Sequence, residues 1–317
     1  MSARPKSEAQ CASSVLMIRP ARFGSNPVTA PSNRFQFLDR GAPSRETQAR
    51  ARAEFEGLAR ALADQGVEVC LFDDTPDPPK PDAVFPNNWV SFHADGTVVL
   101  YPMLAESRRR ERREEILAGL AREHGFRITR TIDLSAHEHD ERYLEGTGSL
   151  VLDRVHRLAY ACLSPRTHLD ALGDFAQQLD YEVVSFDAVD AGGVPIYHTN
   201  VLMCLGESFA VLCSATIRDA AHRAAVLKII GESGHDLIDI TLEQMAAFAG
   251  NMLELRNRAG DSLIVLSARA LESLTREQCA RLERHGELLS ASIPTIERYG
   301  GGSVRCMLAE IHLPRRA

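Results

Sequence analysis

The sequence contains no C-x-x-C pair. Its seven cysteines are an odd, scattered set, a spacing that supports neither a disulfide framework nor a zinc site. Four of them, Cys70, Cys162, Cys204 and Cys213, lie in apolar runs, where cysteine packs as a small hydrophobe. No apolar run approaches the length of a membrane span. Positive charge is also in deficit: 43 acidic residues against 36 basic ones give a net charge of -7, which argues against a nucleic-acid or anionic-membrane partner. The opening MSARPKSEAQCASS has no apolar h-region, so residues 1–13 are expected to be a loose, flexible tail rather than a signal peptide. A reduced, cytoplasmic protein is the expectation. At 317 residues the chain is long enough to bury a substantial core.

What is present is a repeat. Two strands joined at a turn, an amphipathic helix and a further strand recur in that order. NNWVSFHADGTVVLYPM, RREEILAGLAREHG and FRITRTIDL make one unit, and GSLVLDRVHRLAYACLS, HLDALGDFAQQLD and YEVVSFDAV make the next. Two more units follow, beginning at NVLMCLG and NMLELRN. The helices carry the 3.6-residue period, as in Ala51, Phe55, Leu58 and Leu62, or Leu169, Leu172, Ala176 and Leu179. A fifth unit is split: SVRCMLAEIHL at one end would pair with SVLMIRP at the other, followed by a helix over 45–65 and the strand VEVCLF.

Expected strand starts at Asn88, Gly148, Asn200, Asn251 and Ser303 keep an interval of 51 to 60 residues. The pattern reads as an α/β fold, a five-fold pseudosymmetric ββαβ propeller closed by pairing of the N- and C-terminal strands over a single catalytic domain, residues 14–317. Ring closure leaves few exposed sheet edges. An ordinary α+β domain with coincidental spacing is the plain alternative.

In such a ring the starting ends of the first strands face a common axis, and the residues suited to chemistry cluster there. They are Asn88 in FPNNWV, Glu145 in LEGTGS, His198 and Asn200 in YHTNVLM, Asn251 in AGNMLEL and Cys306 in GGGSVRCM. A thiol, an imidazole and a carboxylate within reach of one another can perform nucleophilic catalysis. Each alone has a dull explanation: a cysteine in an apolar strand usually packs, a histidine is usually a bystander, and a glutamate before glycine is often a turn residue.

GGGSVRCM resembles the C-terminal nucleophile motif of the guanidine-modifying, or pentein, superfamily. LEGTGS resembles its Leu-Glu-Gly-Gly signature, HTN its His-x-Asp and LSPRT its Ser-x-Arg-Thr. The resemblance implies the five-fold propeller, with Cys306 as nucleophile, His198 as general acid/base and Glu145 as its charged partner. It implies no cofactor and no metal. Arg166 in LSPRT falls where related enzymes hold the substrate α-carboxylate, and Arg108 in SRRRERREE occupies a similar setting. Arg110, Arg112 and Arg113 read as a solvated helix start.

Two positions depart from the deiminase pattern. Asn88 and Asn200 stand where deiminases place carboxylates that grip a guanidinium. A guanidinium has only donors and a full charge, whereas a ureido group carries an acceptor oxygen and none. Burying a cation against amides leaves its charge uncompensated. The sequence therefore points to citrulline, hydrolysed to ornithine, ammonia and carbon dioxide, and the stretch from Leu16 to Gln36 resembles the citrulline-utilisation hydrolase group. Arginine deiminase or dimethylarginine hydrolase, amidinotransferase, and a non-catalytic binding protein of the same fold stay open. The expected partner is a small amino-acid substrate, with no nucleic acid and no membrane, and homo-oligomerisation stays open. Residues 20–40 read as a lid or a plain loop, and HEHDE, His137 to Glu141, as a solvated loop rather than a metal tract.

Overall fold

The computed structural model describes residues 8–38 and 44–316. Strand β1 (Ser14–Arg19) leads through helix α1 (Arg45–Asp64) to β2 (Glu68–Asp73), which pairs parallel to it. The next unit begins with β3 (Val90–Phe92), antiparallel to β4 (Thr97–Leu100), and continues through α2 (Glu114–Glu123) to β5 (Arg130–Asp133), parallel to β4. The same order recurs in β6 (Val151–Asp153), β7 (Leu158–Cys162), α3 (Leu169–Leu179) and β8 (Glu182–Phe186). It recurs again in β9 (Met203–Leu205), β10 (Phe209–Leu212), α4 (Ala220–Glu232) and β11 (Asp236–Asp239). The last complete unit is β12 (Leu253–Arg256), β13 (Ser262–Ser267), α5 (Arg276–Leu282) and β14 (Glu287–Ala291). Finally β15 (Ala309–Glu310) returns to pair antiparallel with β1, setting Val15 opposite Glu310 and Leu16 opposite Ala309. Five three-stranded sheets of one topology result.

Hydropathy explains each sheet's layering. First and middle strands are covered on both faces, so they read as near-continuous apolar runs, as in Leu263 to Leu266 of β13. Third strands have one open face and alternate; in β8 Val184 and Phe186 are buried while Glu182 and Ser185 are exposed. A parallel return needs a crossover, and each helix supplies it while burying its apolar stripe against the sheet. In α1 that stripe is Ala51, Phe55, Leu58, Ala59 and Leu62. In α3 it is Ala171, Leu172, Phe175, Ala176 and Leu179, while Leu169 in the first turn is exposed. Leu172, Ala176 and Leu179 of the expected stripe are buried, and only Leu169, in the first turn, is not.

Two expectations are corrected. The motif residues do not sit on strands: Asn88 lies in a turn of 3-10 helix at Pro86–Asn88, and Cys306 in another at Val304–Met307. Glycine and asparagine break the extended run ahead of each strand, and a helical turn satisfies its own backbone locally. The loose tail is also shorter than expected. Glu8 and Gln10 are buried, and Gln10 hydrogen-bonds the backbone of Leu152 and Leu205; residues 1–7 lie outside the described residues. Among the described residues, no helix is long and apolar enough to cross a membrane.

Candidate active site

Short turns precede the first strands and pack on one another. Pro86–Asn88 touches Gly146–Ser149, which touches Thr199–Leu202, and Val304–Met307 touches Pro86–Asn88. Asn251 bridges the remaining pair, donating to the carbonyl of Asn200 and accepting from the amide of Arg305. Side chains from five distant stretches of sequence thereby meet. Gly148 is what permits the closest approach: a Cβ there would lie 2.4 Å from Asn88 Nδ2 and 2.7 Å from His198 Nδ1.

Glu145 is fully buried. Its Oε2 lies 2.8 Å from His198 Nε2, 3.3 Å from Arg166 Nη1 and 3.9 Å from Arg108 Nη1, and its Oε1 accepts from the amide of Leu104. Burial alone would raise its carboxyl, but Arg166, His198 and Arg108 together hold it well below the usual carboxylate range. Burial acts on His198 in the opposite sense and, aided by the two guanidiniums, outweighs Glu145 to bring the imidazole down to about 4. Near neutrality the pair is therefore carboxylate and neutral imidazole. Nε2 carries the proton it donates to Glu145, which leaves Nδ1 free to accept.

Cys306 lines a small, nearly closed pocket with His198, Asn88, Asp82, Arg108, Arg166 and Tyr197. Amides flank its sulfur: Asn200 Nδ2 is 3.5 Å from Sγ and Asn251 Nδ2 is 3.4 Å. The adjoining glycines form part of the wall. Gly301, at φ +63°, ends the helix Pro294–Gly300, and a Cβ there would lie 2.7 Å from both Asn33 Nδ2 and the amide of Gln36.

Two arginines border the cavity, and they are held differently. Arg108 gives Nε and Nη2 to Glu111, Nη2 also to the carbonyl of Phe85, and Nη1 to Asn88 Oδ1 at 2.7 Å. Asn88 Nδ2 meets Asn87 Oδ1 at 3.1 Å. Since the guanidinium can only donate, the orientation of the Asn88 amide is fixed, with its oxygen on Arg108 and its nitrogen toward Gly148. Arg166 gives Nη1 to Glu145, Nη2 to the carbonyl of Thr29, and both Nε and Nη2 to the hydroxyl of Ser32.

Thr29 and Ser32 belong to the stretch expected to be a lid. It lies over the cavity, with Thr29 and Asn33 in its wall, and is tied down by Asn33 Nδ2 to the carbonyl of Gly301 and Gln36 Nε2 to that of Tyr299. Residues 39–40 of that stretch lie outside the described residues.

Asp82 was not singled out in the sequence. It is buried on the cavity wall, its Oδ2 accepts from Asn26 and Thr29, and its Oδ1 has no partner among the described residues. The signal was present in its spacing, six residues before Asn88, but an aspartate in a proline-rich loop reads as a turn former. The HEHDE stretch is also more than a solvated loop. It opens within a 3-10 helix, Ser135–Asp140, whose Glu138 binds Arg112 and the amide of Met103. Arg112 is correspondingly part-buried. Two groups among the described residues could hold a metal, Glu68 with Cys70 and His124, and Cys11 with Glu207 and Glu254. Neither contributes to the cavity wall, and Glu68 and Glu207 are each paired with an arginine.

A sequence profile described as N,N dimethylarginine dimethylhydrolase, eukaryotic, matches residues 19–313. The chain belongs to that family. It is a family of hydrolases acting on a guanidino C–N bond, within the pentein superfamily. Among curated proteins, none matches the chain in sequence. Solved structures of similar fold include apo ArgZ, an arginine dihydrolase of the ornithine–ammonia cycle in Cyanobacteria. It superposes with a TM-score of 0.72 at 21% identity, covering 96% of this chain and 41% of that one. The substrate-bound N-terminal domain of ArgZ, a cysteine-to-serine mutant, gives 0.71 at 21% identity, with coverage of 94% and 97%. A dimethylarginine dimethylaminohydrolase adduct with S-methyl-L-thiocitrulline gives 0.65 at 17% identity, with coverage of 95% and 100%. The chain thus spans under half of full-length ArgZ and nearly all of that N-terminal domain. These likenesses are of fold: a mixed α/β architecture of small sheets.

Proposed function

We propose that residues 14–317 form one catalytic domain, a five-bladed ring of the sheets described above, and that it hydrolyses the ureido group of a citrulline-like amino acid through Cys306. The observation that carries the substrate choice is the clamp of Arg108 on Asn88 Oδ1. With Arg108 on its oxygen and one N–H on Asn87 Oδ1, Asn88 keeps a second N–H to offer. An N–H complements a ureido oxygen and opposes a guanidinium, which has donors alone. Around the thiol itself, Asn200 and Asn251 are neutral amides.

The remaining groups fit the rest of an amino acid. The fork of Arg166 suits an α-carboxylate, and the Ser32 hydroxyl that now fills it would be displaced on binding. The unpartnered oxygen of Asp82 suits an α-ammonium. Arg108, with its guanidinium committed inside the protein, serves in this reading as a positioning group for Asn88.

Chemistry follows from the thiolate. Cys306 attacks the ureido carbon; the carbon–oxygen π bond opens onto oxygen, and N–H donors such as Asn88 stabilise the charge there. His198 Nδ1 takes the thiol proton as Cys306 attacks, and collapse then breaks the bond to the terminal nitrogen, which leaves as ammonia with that proton. Water, deprotonated by His198, then attacks the thiocarbamate. The C–S bond breaks, restoring the thiolate, and the released carbamate decomposes to ornithine and carbon dioxide.

A second reading keeps the site and changes the substrate to a guanidino amino acid such as arginine or a methylated arginine. The family membership favours it, and so does the carboxylate of Asp82 on the cavity wall. Purified protein assayed side by side with citrulline, arginine and dimethylarginine separates the two, with Cys306→Ala as blank. Ornithine and ammonia from citrulline, abolished in the variant, are expected. Citrulline accumulating from either guanidino substrate, with no turnover of citrulline itself, would sink the ureido reading and leave the nucleophile standing.

A further inference from the structure

Asn251 is a turn residue of the five-unit set to which the proposed reaction gives no task. It is fully buried and does not line the cavity, so it cannot bind substrate directly. Its amide is nevertheless committed at every position. Oδ1 accepts from the Arg305 amide at 3.1 Å, and Nδ2 lies 2.7 Å from the Asn200 carbonyl and 3.4 Å from Cys306 Sγ. A backbone N–H can only donate and a carbonyl can only accept, so the amide cannot be flipped. One Nδ2 hydrogen serves Asn200 and the other reaches the sulfur at 3.4 Å, closer than the 3.7 Å at which a protonated sulfur would donate to Oδ1.

The backbone shows that this placement is built. Phe248, three residues earlier, holds the left-handed conformation at φ +65°, a strained choice for a bulky residue. Gly250 brings the chain so close to the preceding turn that a Cβ would stand 2.6 Å from the Val201 carbonyl. Both features seat Asn251 between the turn bearing Asn200 and the turn bearing Cys306. A thiol is a weak acceptor and a thiolate a strong one. A fixed N–H on the sulfur therefore favours the charged form, and it also orients the sulfur toward the cavity.

We propose that Asn251 is a positioning residue of the nucleophile: its amide holds Cys306 Sγ in place and stabilises the thiolate, acting on the chemical step and not on substrate affinity. This rests on the reading of Cys306 as nucleophile. It adds that the fourth unit, which supplies no substrate contact, supplies the support for the fifth.

Two variants test it. Asn251→Asp keeps the acceptor for the Arg305 amide but replaces the donor by a second oxygen, and Asn251→Ala removes both. Each is checked for folding by circular dichroism. Iodoacetamide labelling of the peptide that begins at Cys306 is then followed by mass spectrometry across pH 6 to 10, an experiment that requires no knowledge of the substrate. Expected is a labelling profile moved to higher pH, with labelling near neutrality slowed about tenfold or more, most strongly in Asn251→Asp, where a carboxylate faces the sulfur. Turnover on whichever substrate the wild type accepts should fall in kcat by about tenfold to a hundredfold with KM nearly unchanged. A folded variant with the wild-type labelling profile would overturn the role of Asn251 alone. Wild-type Cys306 that labels no faster than the buried Cys162 or Cys204 would instead overturn the nucleophile reading on which it rests.

Discussion

Glu145 sits among three potential cations, and burial, aided by that crowding, decides the state of His198. Buried, with Arg166 and Arg108 close by, the imidazole is disfavoured as a third positive charge, so the group is poised as an acceptor near neutrality. His198→Gln should lower turnover by about a hundredfold to ten-thousandfold while leaving the fold intact, as read by steady-state assay and circular dichroism. The same depression has a consequence for stability. In the unfolded chain the imidazole takes up its proton near 6.5, and in the folded chain only near 4. Stability from this group is present above about 6.5 and is lost as pH falls toward 4, because the unfolded state binds the proton first. Urea titrations at several pH values should show the stability advantage of wild type over His198→Gln shrinking across that window; an advantage independent of pH would contradict the assignment. At this scale the sequence was most legible where chemistry names the residue. Cys306 and Glu145 stood out by type and by their glycine-rich settings, and His198 through the resemblance of HTN to a pentein motif. Asp82 and Ser32 did not, since a carboxylate or a hydroxyl in a loop has many uses and only its neighbours choose among them.

Among the elements, the stretch around Ala30–Ser32 matters most for access. It lies on the cavity through Thr29 and Asn33, and through Asn33 and Gln36 it docks against the glycine turn before Cys306. Gly301→Ala should strain that turn by about 1–2 kcal/mol, because its φ is left-handed, and should also push Asn33 and Gln36 away. The expected result is a modest loss of thermal stability together with faster proteolysis between residues 26 and 38. Unchanged proteolysis would mean that the docking does not depend on the bare backbone. The repeated order of strands and helices could be read directly, since alternation and the 3.6-residue period are properties of local sequence. The boundaries could not. Whether NNWV or SVRCM extends as a strand or first winds through a helical turn depends on the neighbouring turn it must pack against.

At the scale of the whole molecule, the two ends of the chain are structural members. The pairing of β15 with β1 joins the termini, and Glu8, well ahead of β1, reaches three other regions. It accepts from the amide of Ala94, pairs with Arg154 at 3.1 Å and approaches the hydroxyl of Tyr181. Arg154 and Glu8 are both buried, so removing one partner strands the other charge. Glu8→Ala should therefore cost about 3–5 kcal/mol, measured as a lowered midpoint of urea unfolding. A shift of less than about 1 kcal/mol would show that Arg154 finds another partner or water. Nothing in MSARPKSEAQCASS foretold this, because a short polar segment has no periodic signal and its burial is set by the basic residue it meets 146 positions later.

The sequence by itself carried the five-unit order and the pairing of the two ends, since these follow from period and spacing, and it offered Cys306, His198 and Glu145 as candidates through their resemblance to the pentein motifs. Tertiary structure alone decided which way the Asn88 amide faces, that Arg166 rests on the Ser32 hydroxyl while Arg108 is locked onto Glu111, and which amides flank the sulfur. Each of those depends on hydrogen-bond partners brought together from distant units, and donor–acceptor complementarity has no meaning until the partners are within about 3 Å.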